Sequence, residues 1–326
     1  MTVPPLAALG GSAGAIEALR TLLPAIEPAS GMAIAIILHR QPVEEDQRLA
    51  RVLSTRSRIQ VTAAIDGEPI VAGRAVVCPA GVHLTVRDGH YALSTQAKEN
   101  GSRPSVDVFF RSAAAHFGDR VVGVVLSGLL DDGRAGIAAI RAHGGAAIAQ
   151  EPEEALFGDM PRNAIEQGVD AVLPSWAIAD ALARFASRIG KTNVDTKIIA
   201  EESTPSPFAC PDCHGVMWET NAHGATTYRC RTGHRYSAGT LQSRQEDSVE
   251  DALWAAIRAL EEQADLSMRA ALRLRSKAQI ALAEGAERRS AHARSRADIV
   301  RKALQTPIEA TEDAEEITEI HSSSEG

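Results

Sequence analysis

Five short apolar runs constrain this chain more than any other feature: Leu6–Leu9, Ala33–Leu38, Val121–Leu126, Ala146–Ala149 and Ala171–Leu173. Each has the length of a strand, and none alternates apolar with polar residues. Such segments need cover on both faces, as strands of a buried parallel sheet do. The stretches between them have helical period, with Ile16, Leu19, Leu22 and Leu23 in the first, and Ile137 and Ile140 ahead of a Gly144-Gly145 stop. The expected fold is therefore α/β, with a doubly wound and mostly parallel sheet. Val61 to Ser94 reads differently. Asp66-Gly67, Ala72-Gly73 and Asp88-Gly89 punctuate short strands there, which predicts antiparallel hairpins at an edge of the sheet.

Beyond this region the composition changes. Residues 1–187 carry the α/β pattern, 188–207 turn polar around Pro205 and Pro207 and read as a linker, 208–238 hold a Cys/His cluster, and 246–304 read as helical. Ser248 with Asp251 has capping-box spacing at the expected helix start. Val249, Leu253, Ala256, Leu260, Ala264, Ser267, Ala271, Leu274, Ala278 and Ala281 then step by threes and fours along one face. Gly285 marks the expected break before a second helix ending at Leu304. Charge along this region is acidic from Glu246 to Asp265 and basic beyond Arg269. Opposite-sign halves suit a solvated face, antiparallel pairing within the chain, self-association with another subunit, or a docked partner. Residues 305–326 are acidic and serine-rich, a composition of disorder.

The formal net charge of −8 argues against a nucleic-acid partner, since no global positive field attracts phosphates. Aromatic residues make up 4% of the chain, too few for a base-stacking surface. The longest apolar run, Met32 to Leu38, is too short to insert in a membrane, and the first ten residues have no signal-peptide character. A cytoplasmic protein is expected.

Three strand ends carry candidate chemistry. The first run ends in Gly10-Gly11-Ser12-Ala13-Gly14 and enters a helical pattern. A serine on such a turn has an exposed hydroxyl with backbone amides aimed at its target, as a nucleophile requires. An anion-binding turn or a plain structural turn uses the same glycines. His39 directly follows Ala33–Leu38 and reads as a structural residue or as a general base. Its place favours the base, because the carboxyl ends of strands in an open α/β sheet form the ligand crevice. After Val121–Leu126 come Asp131 and Asp132, ahead of Gly133. They fit a turn and helix cap, or an acid that orients the histidine and stabilises the imidazolium. The order Ser…His…Asp differs from that of ordinary α/β-hydrolases.

These residues resemble a known family. Ser12 within GGSAG-AIEAL, His39 after AIAIIL, the stretch SRPSVDVFFRSAA, and VVLSGLLDDGRAGIAAIRAHGGAAIAQEPEEALFGDMPRNAI are similar to the catalytic domain of chemotaxis protein-glutamate methylesterases of the CheB type, over about residues 4–187. The resemblance implies a serine esterase in which Ser12 is the nucleophile, His39 the general base and Asp132 the orienting acid. It favours Asp132 over Asp131 because Asp132 precedes the glycine of the family's TGMGxDG. It further implies oxyanion donors from amides near Ala13 and Leu129, and a site mouth lined by Arg103, Met160 and Arg162. No catalytic cofactor is implied. The substrate would be the γ-methyl ester of glutamate on a methylated chemoreceptor or other signalling protein, with release of methanol and, by the same chemistry, deamidation of glutamine. A cognate methyltransferase is an implied partner. Ala15 replaces the last glycine of the family's GxSxGG, and Leu129 and Leu130 replace a methionine and a glycine of TGMGxDG. These changes touch the oxyanion loop and leave the three expected catalytic residues in place. The family's receiver domain does not precede this segment, so a stand-alone form is expected. An esterase acting on a different ester or amide, and an idle zinc-and-helix interaction module, are the alternatives.

Cys210-Pro-Asp-Cys213 and Cys230-Arg-Thr-Gly-His234 make a C-x2-C-x16-C-x3-H pattern. Two chelating knuckles joined by a hairpin predict a structural zinc ribbon, and thiolate with imidazole suits that ion. His214 and His223 compete with His234 as fourth ligand. Reduced surface thiols are the alternative, and a redox pair fits poorly because the motif opens no helix. Cys78 reads as a buried strand residue, and His83, His90, His116 and His143 read as surface histidines. The intervening linker predicts an esterase that folds and works without the ribbon, so a chain ending near residue 187 should keep its chemistry on a small ester.

Overall fold

The structure, a computed structural model, describes residues 3–40, 46–188 and 202–305. In chain order the first part contains β1 (Leu6–Gly11), α1 (Ala15–Leu22), β2 (Ala33–Leu38), α2 (Asp46–Ser54), β3 (Gln60–Ala63), β4 (Arg74–Val77), β5 (His83–Arg87), β6 (His90–Ser94), α3 (Val106–Phe117), β7 (Val121–Val125), α4 (Arg134–Ala142), β8 (Ala146–Gln150), α5 (Asp159–Glu166), β9 (Ala171–Leu173) and α6 (Ser175–Arg188). Seven of these strands form one sheet in the spatial order β3-β4-β2-β1-β7-β8-β9, with every pair parallel. Strand order reverses beside β1, so the carboxyl ends of β1 and β7 flank a switch-point crevice.

The continuous apolar runs are explained by the two cores. Leu6 and Ala8 of β1, with Ala35 and Ile37 of β2, face a core completed by Phe109 and Phe110 of α3. Ala7 and Leu9, with Ile34 and Ile36, face a second core completed by Leu19 and Leu22 of α1 and Ile178 and Leu182 of α6. Successive side chains of a strand point to opposite faces, so a strand covered on both sides must be apolar throughout.

The expected antiparallel edge is not part of this sheet. β3 pairs parallel with β4, Val61 opposite Ala75, so Asp66-Gly67 and Ala72-Gly73 lie in a crossover rather than in hairpins. Among the three turn signals only Asp88-Gly89 joins antiparallel strands, β5 and β6, and these form a separate two-stranded sheet. His83, expected at the surface, is buried: its Nδ1 accepts the Ser105 amide at 3.3 Å and its Nε2 meets the Ala97 carbonyl at 3.1 Å. Burial outweighs these contacts and lowers its pKa.

β10 (Glu202–Ala209), β11 (Val216–Ala222), β12 (Ala225–Cys230) and β13 (Arg235–Ser237) form a four-stranded antiparallel sheet around Cys210, Met217, Cys230, Tyr236 and Leu241. The last six residues of the expected linker thus belong to a strand, and residues 189–201 lie outside the described residues. The ribbon belongs to the same compact unit as the α/β sheet, which extends to Arg244. Ser237 and Thr240 donate to the carboxylate of Asp131 at 2.5 and 2.6 Å, and Gln167 donates to the His223 carbonyl at 3.4 Å. Direct hydrogen bonds between buried groups replace the independence expected of a linked module.

α7 (Ala238–Ser276) starts ten residues before the expected Ser248 cap, and α8 (Ile280–Gln305) runs through Gly285. The break falls instead at residues 277–279, where Ala278 takes a left-handed φ of 56°. From Gln245 onward the helices form their own compact unit. Within it the expected stripe is covered from Leu253 to Leu274, with Ala264 and Ala271 buried and Ile257, outside that stripe, buried beside them, whereas Val249, Ala278 and Ala281 are exposed. α8 contributes Ala283, Ala286, Ser290, Ala293 and Ala297 to the buried face. The opposite-sign halves pair within the chain, Asp265 with Arg294 at 3.3 Å and Glu261 with Arg301, while Arg275 pairs with Glu287 at 2.7 Å inside the basic half. The acidic tail beyond residue 305 lies outside the described residues. Among the described residues no helix is long and apolar enough to cross a membrane.

Gly10 lets β1 approach α3 closely, since a Cβ there would lie 2.3 Å from Val106 Cγ1. Gly10→Ala should cost about 1–3 kcal/mol through overpacking, read as a lower urea midpoint at an unchanged slope.

Candidate active site

Ser12 and His39 are brought together by strand register. β1 and β2 are parallel neighbours with Gly11 opposite Leu38, so the residues that follow each strand emerge side by side, about 5 Å apart in the hydrogen-bonding direction. The His39 amide donates to the Gly11 carbonyl at 3.2 Å, which extends the ladder to the histidine itself. The serine turn is tied to the far side of the crevice as well. The Ser12 amide donates to the Ser127 carbonyl at 2.9 Å, and the Ser127 hydroxyl donates to the Ala13 carbonyl at 2.7 Å. Gly14 caps α1 with a left-handed φ of 79°, and a Cβ there would lie 2.5 Å from Ser127 Oγ. The turn therefore requires glycine for conformation and for space.

Asp132 is buried behind His39, with its Oδ2 2.5 Å from Nε2 of the ring. The same oxygen accepts the Val106 amide at 2.7 Å, while Oδ1 accepts from Ser105 Oγ at 2.9 Å, Asn100 Nδ2 at 3.0 Å and the Asp107 amide at 3.1 Å. Burial by itself pushes this carboxyl up. The hydrogen bond and charge of His39, the Val106 amide and Asn100 outweigh it and hold Asp132 below the ordinary carboxylate range. With Nε2 committed to the carboxylate, Nδ1 is the nitrogen left to handle a proton.

The first amides of α3 supply two of the Asp132 bonds, so the helix N-terminus solvates the charge. The arrangement is reciprocal. Asp107, in the first turn of α3, accepts the amides of Gly133 and Gly136 at the start of α4, at 3.0 and 2.6 Å. Asn100 Nδ2 bridges the two carboxylates, reaching Asp107 Oδ2 at 3.1 Å. Burial and then the charge of Asp132 raise the Asp107 pKa well above normal. Asn100, Ser105 and Asp107 carried no role in the sequence reading. Ser105 sits ahead of the α3 pattern, where a cap is expected, yet its hydroxyl serves Asp132 instead. Nothing local in the sequence shows that choice.

Leu129 and Leu130 are exposed on the loop after β7. Leu130 has a φ of 62°, the conformation a glycine would take there without strain. Met160 does not line a mouth: it is buried, and it fills the space beside Gly128, where a Cβ would lie 2.1 Å from its sulfur. Arg162 is held on the surface by Glu153 at 3.3 Å. Arg103 does line a cleft of about 420 Å³ beside His39, together with Arg40, Lys98, Gly81, Gly101 and Ser102. It is braced by the carbonyls of Thr95 and Gln96, both at 2.8 Å.

In the ribbon, Cys210, Cys213, Cys230 and His234 bring their ligand atoms within 4.8 Å of one another. His234 Nδ1 lies 3.6 Å from both Cys210 Sγ and Cys230 Sγ, and Cys213 Sγ lies 3.6 Å from Cys230 Sγ. A tetrahedron with metal–sulfur bonds of about 2.3 Å has edges near 3.8 Å, so these separations fit. Asp212 stands 3.7 Å from Nε2 of His234, where a carboxylate orients a ligating imidazole. Burial pushes the Cys210 thiol up to about 12, while the Thr232 hydroxyl brings Cys213 down to about 7. Cys78 is buried just after β4.

A histidine held by a buried carboxylate, beside a seryl turn, is an arrangement that acyl transfer can use. The comparisons with known proteins make this specific. The CheB methylesterase family matches residues 7–182, and the chain belongs to that family. A Leptospira interrogans relative is 36% identical over 179 residues, which is 54% of this chain and 92% of the relative. Protein-glutamate methylesterase/protein-glutamine glutaminase 2 of Pseudomonas aeruginosa is 39% identical over 191 residues, 57% of this chain and 54% of that protein. The crystal structure of the Thermotoga maritima CheB methylesterase catalytic domain superposes with a TM-score of 0.54 at 28% identity, covering 56% of this chain and 99% of that one. The family match ends before the ribbon begins.

Restoring glycine at Leu130 should relieve the left-handed strain at some cost in unfolded-state entropy. Leu130→Gly is expected to raise stability by roughly 0.5–1 kcal/mol, checked by denaturant unfolding.

Proposed function

We propose that the chain is a serine esterase that hydrolyses glutamate γ-methyl esters on a signalling protein such as a methylated chemoreceptor. The observation that carries this reading is the Asp132 clamp, which presents one carboxylate oxygen to His39 beside the Ser12 turn in a chain of the CheB methylesterase family. Ser12 Oγ attacks the ester carbonyl while His39 Nδ1 takes its proton. Amides near Ala13 and Leu129 receive the oxyanion of the tetrahedral intermediate. His39 returns the proton to the departing methoxide, and methanol leaves an acyl-enzyme. Water, activated by His39, then hydrolyses the acyl-enzyme to glutamate and frees Ser12. A glutamine side chain follows the same course with ammonia as the leaving group. Arg40, Lys98 and Arg103 around the cleft suit an acidic peptide surface next to the scissile ester.

Ser12→Ala should abolish methanol release from a methylated chemoreceptor while far-ultraviolet circular dichroism stays unchanged. His39→Ala and Asp132→Asn should weaken it strongly, by up to ~10⁴-fold for the aspartate. Substantial turnover by Ser12→Ala would overturn the assignment.

We further propose that the ribbon holds one structural zinc on Cys210, Cys213, Cys230 and His234. All four positions of a tetrahedral ion are taken by protein, which suits a structural and not a catalytic site. Metal analysis of reduced protein should find one zinc per chain, lost in Cys210→Ser and Cys213→Ser. Acidification should release it, because protons compete with the metal for thiolate and imidazole. Freshly purified reduced protein without zinc rejects the site.

A further inference from the structure

Asn100 links the ribbon to the candidate active site. Asn100 Oδ1 accepts the Ser237 amide of β13 at 2.8 Å, and its own amide donates to the Arg235 carbonyl of that strand at 2.8 Å. With Oδ1 facing the ribbon, the Nδ2 hydrogens must face the carboxylates of Asp132 and Asp107. A flipped amide would set an acceptor against two carboxylates and a donor against the Ser237 N–H. The ribbon and the two carboxylates therefore favour the same orientation of this amide. Asn100 is buried, with a left-handed φ of 52° that its β13 contacts hold in place. Beside it, Ser237 and Thr240 grip Asp131, the residue next to Asp132.

The metal ligands are one step further along the same strand. His234 immediately precedes Arg235, and its carbonyl accepts the amide of Cys230, another ligand. Arg235 also pairs with Arg229, the neighbour of Cys230. Without the metal the knuckle keeps its backbone bonds, Cys230 N–H to the His234 carbonyl at 2.9 Å and Gly233 N–H to the Cys230 carbonyl at 3.0 Å, but its four ligand side chains lose the ion that would draw them together.

We propose that Asn100 is a positioning residue for Asp132, set by β13, and that the zinc state of the ribbon thereby controls turnover by the Ser12–His39–Asp132 site. This rests on the esterase and zinc readings above. Loss of zinc loosens β13 and with it the Ser237 and Arg235 contacts that seat Asn100, which weakens a hydrogen bond that aims Asp132 at His39. Esterase output then follows zinc supply to the ribbon.

The test uses the full chain, wild type and Asn100→Ala, each zinc-loaded and after removal of zinc with a chelator under reducing conditions. The kcat and KM for p-nitrophenyl acetate are measured in each state. Chelation should lower wild-type kcat about 10- to 100-fold, the range for one hydrogen bond to a buried charge, with KM within about twofold. Adding back zinc should restore it. Asn100→Ala should start low and change less than about twofold on chelation, because the coupling path is already cut. A wild type that keeps its kcat without zinc overturns the proposal. So does an equal further loss in Asn100→Ala, which shows that metal and Asn100 act independently. Chelation that unfolds the esterase by circular dichroism also overturns the proposal, because the metal then supports the whole fold and not the seat of Asn100. Failure of the underlying readings is separately visible: zinc-free wild type rejects the metal site and its control, and turnover by Ser12→Ala rejects the nucleophile.

Discussion

Two buried carboxylates exchanged between two helix starts organise this molecule. Asp132, at the start of α4, accepts the first amides of α3, and Asp107, in the first turn of α3, accepts the first amides of α4. Each helix end would otherwise bury unsatisfied N–H groups, and each carboxylate would lack solvation. Each solves the other's problem. Like charges so close resist joint ionisation, so the pair divides the burden, with Asp132 pushed down and Asp107 pushed up. The helix packing that results fixes the carboxylate against which His39 rests.

The sheet supplies the other half of the arrangement. Parallel strands in matched register deliver Ser12 and His39 to one edge, and Gly10 lets α3 come close enough for its N-terminus to reach Asp132. Polar side chains then lock the loops between them. Ser127, in the loop after β7, ties the serine turn to the loop after β8 by bonding Ala13 and Phe157, and Gln150 accepts the Ser127 amide at 2.9 Å. A site assembled from strand ends and braced from behind needs little movement to act, which is the condition for electrostatic preorganisation.

The C-terminal segments follow a different logic. The ribbon has a small core of five residues, too few to hold a sheet of that size without help. Four converging ligand atoms and a dock on Asp131 and Asn100 are the help available. The helical hairpin relies on alanines and one serine that let its two helices approach, with Asp265–Arg294 and Glu261–Arg301 along the rim. Ion pairs this exposed contribute little stability, but they favour the antiparallel register over its alternatives.

Much of this was legible in the residues. Runs such as Ala33–Leu38, apolar without alternation, announce strands covered on both faces, because the period-two geometry of a strand leaves no other use for them. Ser12, His39 and Asp132 are visible as polar residues at strand ends, and Cys210, Cys213, Cys230 and His234 by chelate spacing, since both signals are local. What the chain could not show locally was decided by tertiary packing. Val61 pairs with Ala75 in parallel, although turn residues separate their strands: β4 takes the place beside β2, and β3 adds to the far side of β4 in the same direction. Helix α7 begins at Ala238, not at a Ser248 cap, because Thr240 and Leu241 are buried by the ribbon and the sheet domain. Asn100, an ordinary turn residue by sequence, acquires its place between two carboxylates and β13 only when segments more than a hundred residues apart meet. A side chain's hydrogen-bond partners depend on what the fold brings within about 3 Å, and no local pattern encodes that distance.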